Sequence, residues 1–158
     1  MEIEIIKAGL SDFEKLKELR IKLLRFENSI DKSVRCDEKR IGEIIEHIKI
    51  YLNKGENGYF IAYAEGVACA YCHISFDDKN NPESSYIGEI FVEDKFRKNG
   101  IGKNLIEKCI EFAKKNKIKK NTLNTTIEGN SGTIEFYKRI GYKIVKEKGN
   151  KIFFEKDI

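Results

Sequence analysis

The stretch Tyr86-Ile87-Gly88-Glu89-Ile90-Phe91-Val92-Glu93-Asp94-Lys95-Phe96-Arg97-Lys98-Asn99-Gly100-Ile101-Gly102-Lys103 decides the architecture. Residues 86–92 form an apolar run of strand character. A short polar turn follows, then a basic loop containing glycine. Beyond it Ile101, Leu105, Ile106, Cys109, Ile110 and Ala113 recur with helical spacing. Residues 122–127 then read as a second, threonine-rich strand. A strand, a helix and a strand in this order make a crossover unit, so the two strands are expected to be parallel neighbours.

Working outward, Ile3 and Ile5 alternate with Glu2 and Glu4 as a half-buried first strand. Ser11-Asp12-Phe13-Glu14 reads as a capping box that starts a helix with the stripe Phe13, Leu16, Leu19, Leu23, Phe26. A second helix from about Asp37 carries Ile41, Ile44, Ile45, Ile48 and Leu52, and ends at Gly55 and Gly58. Residues 59–64 and 67–76 read as strands joined at Glu65-Gly66, and residues 77–84 as a polar loop. A helix over 130–140 is stopped by Gly141, and strands over 142–147 and 152–155 close a hairpin around Gly149-Asn150. The order β-α-α-β-β-β-α-β-α-β-β predicts an α/β (α+β) fold. Its mixed, mostly antiparallel sheet has about seven strands, with one parallel crossover and helices on both faces.

The chain has 158 residues, the length of one domain of roughly 100–200 residues. Hydrophobic residues at 41% and a single proline exclude a disordered or collagenous chain. No apolar run approaches the roughly 20 residues of a membrane span. The residues Met1-Glu2-Ile3-Glu4 lack a secretory layout, so a cytoplasmic location and no membrane partner are expected. The net charge of +4 is too mixed to indicate nucleic acid. The lysine run over 114–120 falls at a helix C-terminus, where cations complement the helix dipole. It has no interleaved aromatic residues for base stacking, and no nucleic-acid partner is expected. Cys69 and Cys72 have CxxC spacing, but strand alternation sends them to opposite faces, and no second pair completes a metal site.

The chemistry lies in the loop. A helix N-terminus leaves its first N–H groups unpaired and carries about half a positive charge. Glycine lets an anion approach the backbone closely. The junction is therefore an anion site, above all for phosphate. The string GxxxxGK[ST] is absent. Gly100-Ile101-Gly102-Lys103-Asn104-Leu105 puts Leu105 where the dinucleotide fingerprint needs glycine or alanine.

Arg97-Lys98-Asn99-Gly100-Ile101-Gly102 does match the R/Q-x-x-G-x-G/A motif of the GNAT superfamily of N-acetyltransferases. The segment Asn130-Ser131-Gly132-Thr133-Ile134-Glu135-Phe136-Tyr137-Lys138-Arg139-Ile140-Gly141-Tyr142 is similar to that family's late pattern, N-x-x-A-x-x-[FL]-Y-x-K-x-G-[FY]. It departs from the pattern at Thr133 and Arg139. The resemblance covers the whole of residues 1–158 in element order, and residues 86–142 sharply.

The resemblance implies transfer of an acetyl group from acetyl-CoA to a primary amine of a small molecule or peptide, by direct attack in a ternary complex. The alternative is a CoA-binding regulatory domain without catalysis. No metal is implied. The resemblance assigns the pyrophosphate to Lys98, Asn99, Gly100, Ile101 and Gly102, with Arg97 and Lys103 adding charge at the rim. The pantetheine arm is expected to bond like an extra strand to Ile90, Phe91 and Val92, with Asn130 at its side. A peptide N–H at or near Val92 would polarise the thioester. Tyr137 is the expected general acid, since an ordinary phenol is protonated at neutral pH. Glu89 is the candidate base, with His73 second. The region from Glu27 to Arg35 commonly roofs the acceptor pocket in this family. Homodimers are common among its members.

Overall fold

A computed structural model describes residues 1–54, 58–76, 78–127 and 131–158 of the chain. Strand β1 (Ile3–Lys7) leads through a 3-10 turn, Leu10–Asp12, into helix α1 (Phe13–Ile30). Helix α2 (Glu38–Leu52) follows, then strands β2 (Tyr59–Ala64), β3 (Val67–Ser75) and β4 (Ser84–Val92). Helix α3 (Ile101–Lys115), strand β5 (Lys120–Thr126), helix α4 (Ser131–Arg139) and strands β6 (Lys143–Lys148) and β7 (Lys151–Asp157) complete the chain.

The strands form one sheet in the order β1-β2-β3-β4-β5-β7-β6, in which β4 and β5 are parallel and the other pairs antiparallel. The crossover expected from residues 86–127 is therefore present. Alternation along β2 divides the interior in two. Phe60 and Ala62 face α3 and α4, packing with Ile74, Leu105, Ile106, Tyr137 and Phe154. Tyr59 and Ile61 face α1 and α2, packing with Leu16, Leu19, Ile48, Tyr71 and Phe91. Burying side chains of this size contributes about 1.5–3 kcal/mol each, which holds the sheet between the helices.

Two local expectations change. The cap before α1 is not Ser11 with Glu14: the Asp12 carboxylate accepts from the Gly9 N–H at 2.9 Å and from the Tyr63 hydroxyl at 2.6 Å. A carboxylate anchored to a neighbouring strand prevails over a local hydroxyl cap. Cys69 and Cys72 do not point to opposite sides. The register shift between Ala62 and Tyr63 makes Cys69 the extra residue of a bulge in β3, and both cysteines join the α3 side of the core. Among the described residues no group of three His, Cys, Asp or Glu could hold a metal ion, and no helix is long and apolar enough to cross a membrane.

The end of α4 follows the sequence signal. Gly141 has φ +98°, its N–H donates to Lys138, and the Tyr142 N–H reaches back to Tyr137 at 3.1 Å. This is the Schellman arrangement, which glycine favours because it has no Cβ. It turns Tyr142 back toward β5, where its hydroxyl donates to Asn121.

Candidate active-site cleft

The cleft begins where two strands part. β4 and β5 pair from Ser84 with Lys120 to Tyr86 with Thr122 and no further. Just beyond this point β4 is irregular: His73 faces Glu89 whereas Ile74 faces Ile87, leaving Gly88 as a bulge. A bulge bends its strand and adds twist. β4 continues to Val92 and β5 to Thr126, with a wedge opening between them. The wedge belongs to a cavity of about 1810 Å³, lined also by Gly100, Ile101, Gly102 and Lys103, by Phe136 and Tyr137 of α4, and by Phe26, Glu27 and Ile30 of α1. Pockets for drug-sized ligands run to about 300–1,000 Å³, so this cleft suits a longer, extended molecule.

The free edge of β4 faces the wedge. The Glu93 N–H donates to the Cys69 carbonyl at 3.0 Å. In an antiparallel ladder the bonded pairs alternate. Phe91 and Glu89 therefore spend their peptide groups on Tyr71 and His73, while Ile90 and Val92 turn theirs toward β5. Of the three residues expected to bond an arm, Ile90 and Val92 are so placed. Phe91 is not: its side chain is buried on the α1 side. The Val92 carbonyl accepts from Arg97 Nε at 2.9 Å.

The loop after β4 is shaped for the helix that follows. Lys98 has φ +62° and Gly100 φ +78°, and no side chain caps α3. The first helical bond is Asn104 N–H to the Gly100 carbonyl, at 3.0 Å. The amides of Ile101, Gly102 and Lys103 lie ahead of it, as orphan donors at the positive end of the helix dipole. A Cβ on Gly102 would sit 3.6 Å from the Phe136 ring and 3.8 Å from Val92, so the helix start packs closely on the cleft wall. Asn99 closes the loop internally through the carbonyls of Phe96 and Arg97. Arg97 also braces it, pairing with Asp94 at 2.9 Å and lying over the Phe26 ring. Its charge is thus engaged within the loop. Lys103 is the more exposed cation, 3.7 Å from Glu107.

Tyr137 is buried on α4, with Phe154 and Tyr142 packed against its ring, and it lines the cleft. Burial pushes its pKa up, so the hydroxyl keeps its proton throughout the neutral range. Glu89 also lines the cleft, but from the α1 side of the sheet. Its Oε1 accepts from Arg20 Nε at 2.9 Å, and Arg20 Nη1 stands 3.6 Å from Glu27. Tyr71 faces the same carboxylate. Burial, and then the charge of Glu89, push the Tyr71 hydroxyl well up. Glu27 is raised by burial ahead of the opposing pull of Arg20.

His73 lies directly across from Glu89, stacked on Tyr59 with ring centroids 4.1 Å apart, and is not among the residues lining the cleft. Glu27, Asp31, Ser33 and Val34, from the region expected to roof the acceptor, do line it. Asn130 lies outside the described residues. Sequence reasoning missed Arg20, although a signal was present. Arg20 stands within the α1 stripe of Leu16, Leu19 and Leu23, where a charge can be buried only with a partner.

Comparison with known proteins gives this geometry its family. Residues 22–142 match the acetyltransferase (GNAT) family. The chain belongs to the GNAT acetyltransferase family. An uncharacterised N-acetyltransferase of Methanocaldococcus jannaschii is 40% identical to this GNAT chain over 102 residues, covering 61% of the chain and 44% of that protein. The match thus spans less than half of that relative's length. The PaiA N-acetyltransferase of Thermoplasma acidophilum, solved in complex with coenzyme A, superposes with a TM-score of 0.76 at 20% identity over all of both chains. YncA of Salmonella typhimurium, solved with its cofactor acetyl-CoA, gives 0.77 at 12% identity, over 99% of this chain and 94% of that one. Both likenesses establish the GNAT fold.

Proposed function

We propose that the chain transfers the acetyl group of acetyl-CoA to a primary amine of a small molecule or peptide, by direct attack within a ternary complex. The observation that carries this reading is the continuity of the cleft. One cavity joins the uncapped start of α3, the unpaired edge of β4 and the buried hydroxyl-bearing Tyr137. Coenzyme A has the matching order of parts. Its pyrophosphate suits the amides of Ile101, Gly102 and Lys103. Its pantetheine amides suit the turned-out peptide groups of Ile90 and Val92. Each charge-assisted bond contributes about 1.5–3 kcal/mol, so a few offset the cost of association.

With the thioester beside β4, the reaction needs little more from the protein. A free N–H at Val92 is placed to stabilise the oxyanion as the amine attacks. Tyr137, kept protonated by burial, is suited to protonate the departing thiolate. Glu89 is suited to take the amine's proton, directly or through water. The acidic pair Glu27 and Asp31 on the opposite wall favours an acceptor that arrives as a cation. The relatives solved with coenzyme A and acetyl-CoA support the same co-substrate.

The engagement of Glu89 with Arg20 is the one feature that favours the alternative, a CoA-binding regulatory domain without catalysis. Incubation with acetyl-CoA and a panel of amines separates the two. Release of free thiol that depends on an added amine is the expected result. Tight CoA binding with no thiol release on any amine would leave the binding module.

A further inference from the structure

Glu89 forms part of two walls. It lines the cleft, and it lines a second recess of about 300 Å³ between α1, α2 and the sheet. Arg20 lines the second recess, not the cleft. Its side chain is 7% exposed, so the guanidinium has left water almost entirely. Burying such a charge is costly unless its partners are well placed. Its partners are Glu89 and Glu27, the two α1-side carboxylates that reach the cleft from within the fold.

We infer that Arg20 is a positioning residue for the transfer, acting through Glu89. This inference rests on the acetyl-transfer reading above. A guanidinium is planar and always charged. Bound to Oε1, it fixes the plane of a carboxylate whose Oε2 is buried and whose side chain keeps 17% of its surface exposed. The groups facing Glu89 come from four further elements. Arg20 and Glu27 stand on α1; Arg40, Glu43 and His47 on α2; Tyr59 on β2; Tyr71 and His73 on β3. Arg40 is 3.3 Å from Glu43 and so partly neutralised. Arg20 is the cation in direct contact with Glu89.

The test compares Arg20→Met, Arg20→Lys, Glu89→Gln and the double variant Arg20→Met/Glu89→Gln. If Arg20 acts through Glu89, Arg20→Met lowers kcat about 10–100-fold, less than the roughly 100–10,000-fold that a base itself contributes, because Glu89 is still present. It leaves KM for acetyl-CoA within about two-fold, because Arg20 does not line the cleft. Arg20→Lys restores part of kcat but not all of it, because a point charge does not fix the carboxylate plane. On the Glu89→Gln background, Arg20→Met adds no further loss. A folded Arg20→Met protein with wild-type kcat, or fully multiplicative losses in the double variant, overturns the inference.

Should Arg20→Met fail to fold, Arg20→Lys decides, and wild-type kcat in that variant overturns it. A crystal structure of the folded variant without ligand supplies a readout independent of turnover. A Glu89 carboxylate displaced by more than about 1 Å supports positioning, and an unmoved one refutes it. If the wild-type protein transfers acetyl to no amine, the enzymatic reading falls, while the crystal still judges Arg20.

Discussion

Asn121, fully buried on β5, donates from Nδ2 to the Ser85 hydroxyl of β4 at 2.9 Å, one residue before the two strands part. Ser85 passes the bond on to the Lys120 carbonyl, and Tyr142 donates to Asn121 Oδ1 from the far side. This chain closes the parallel pair at the foot of the cleft, and with it the angle at which the wedge opens. Asn121→Ala strips a buried hydroxyl pair of its partner, so it should cost about 2 kcal/mol. At this chain length that lowers Tm by roughly 4–8 °C. Asn124→Ala, which removes only an exposed bond to the Tyr86 hydroxyl, should move Tm by less than about 1 °C. Thermal denaturation of both variants checks the contrast, and equal shifts would remove the role given to Asn121.

Gly100→Glu should abolish CoA binding while leaving a folded protein. There is open space around a Cβ at this position, so the new side chain finds room at the mouth of the cleft. The φ of +78° adds about 1 kcal/mol of backbone strain, and the carboxylate repels a diphosphate. Calorimetric titration with acetyl-CoA measures the loss. Ordinary affinity in this variant would mean that the start of α3 does not hold the phosphates.

Tyr137→Phe should lower kcat about 10–100-fold, with CoA affinity nearly unchanged. Burial raises the phenol's pKa, so Tyr137 stays protonated well above neutrality and contributes no basic limb to the pH profile below about pH 10. Steady-state rates across pH test both statements. Unchanged turnover would reduce Tyr137 to packing against Phe154 and Tyr142.

His47 gives a pH signature of stability. Burial is the first cause that lowers its pKa, and its Nδ1 lies 3.3 Å from the Tyr59 hydroxyl. The unfolded chain therefore binds this proton at higher pH than the folded one does. The stability it supports is complete above the unfolded value of about 6.5 and is lost as pH falls through the lower folded value. His47→Gln should flatten the decline of the urea midpoint over that window. A wild-type decline that survives the substitution unaltered would assign it to other groups.

The α3 loop was legible because its signal is local. Gly100, Gly102 and the apolar stripe from Ile101 to Ala113 specify a glycine-opened helix whatever surrounds them. Gly141 was legible for the same reason, as a left-handed helix cap. The contacts of Arg97 with Val92, Asp94 and Phe26 were not legible, because they are a matter of packing. Which peptide groups of residues 90–92 face the wedge was not legible, because ladder phase depends on β3, which nothing in residues 86–92 records. Glu89 was legible as a candidate, but not its partner.

By itself the amino-acid sequence determined the order of elements, the parallel crossover, the glycine-opened start of α3 and the family. Hydrophobic period, glycine and helix ends act over a few residues, and their physics travels with the chain. Only the tertiary structure decided where β4 and β5 separate, which peptide groups of β4 face the wedge, and that Arg20 meets Glu89 across 69 positions. Those outcomes follow from register, and one bulge at Gly88 or Cys69 shifts every side chain beyond it to the other face of the sheet.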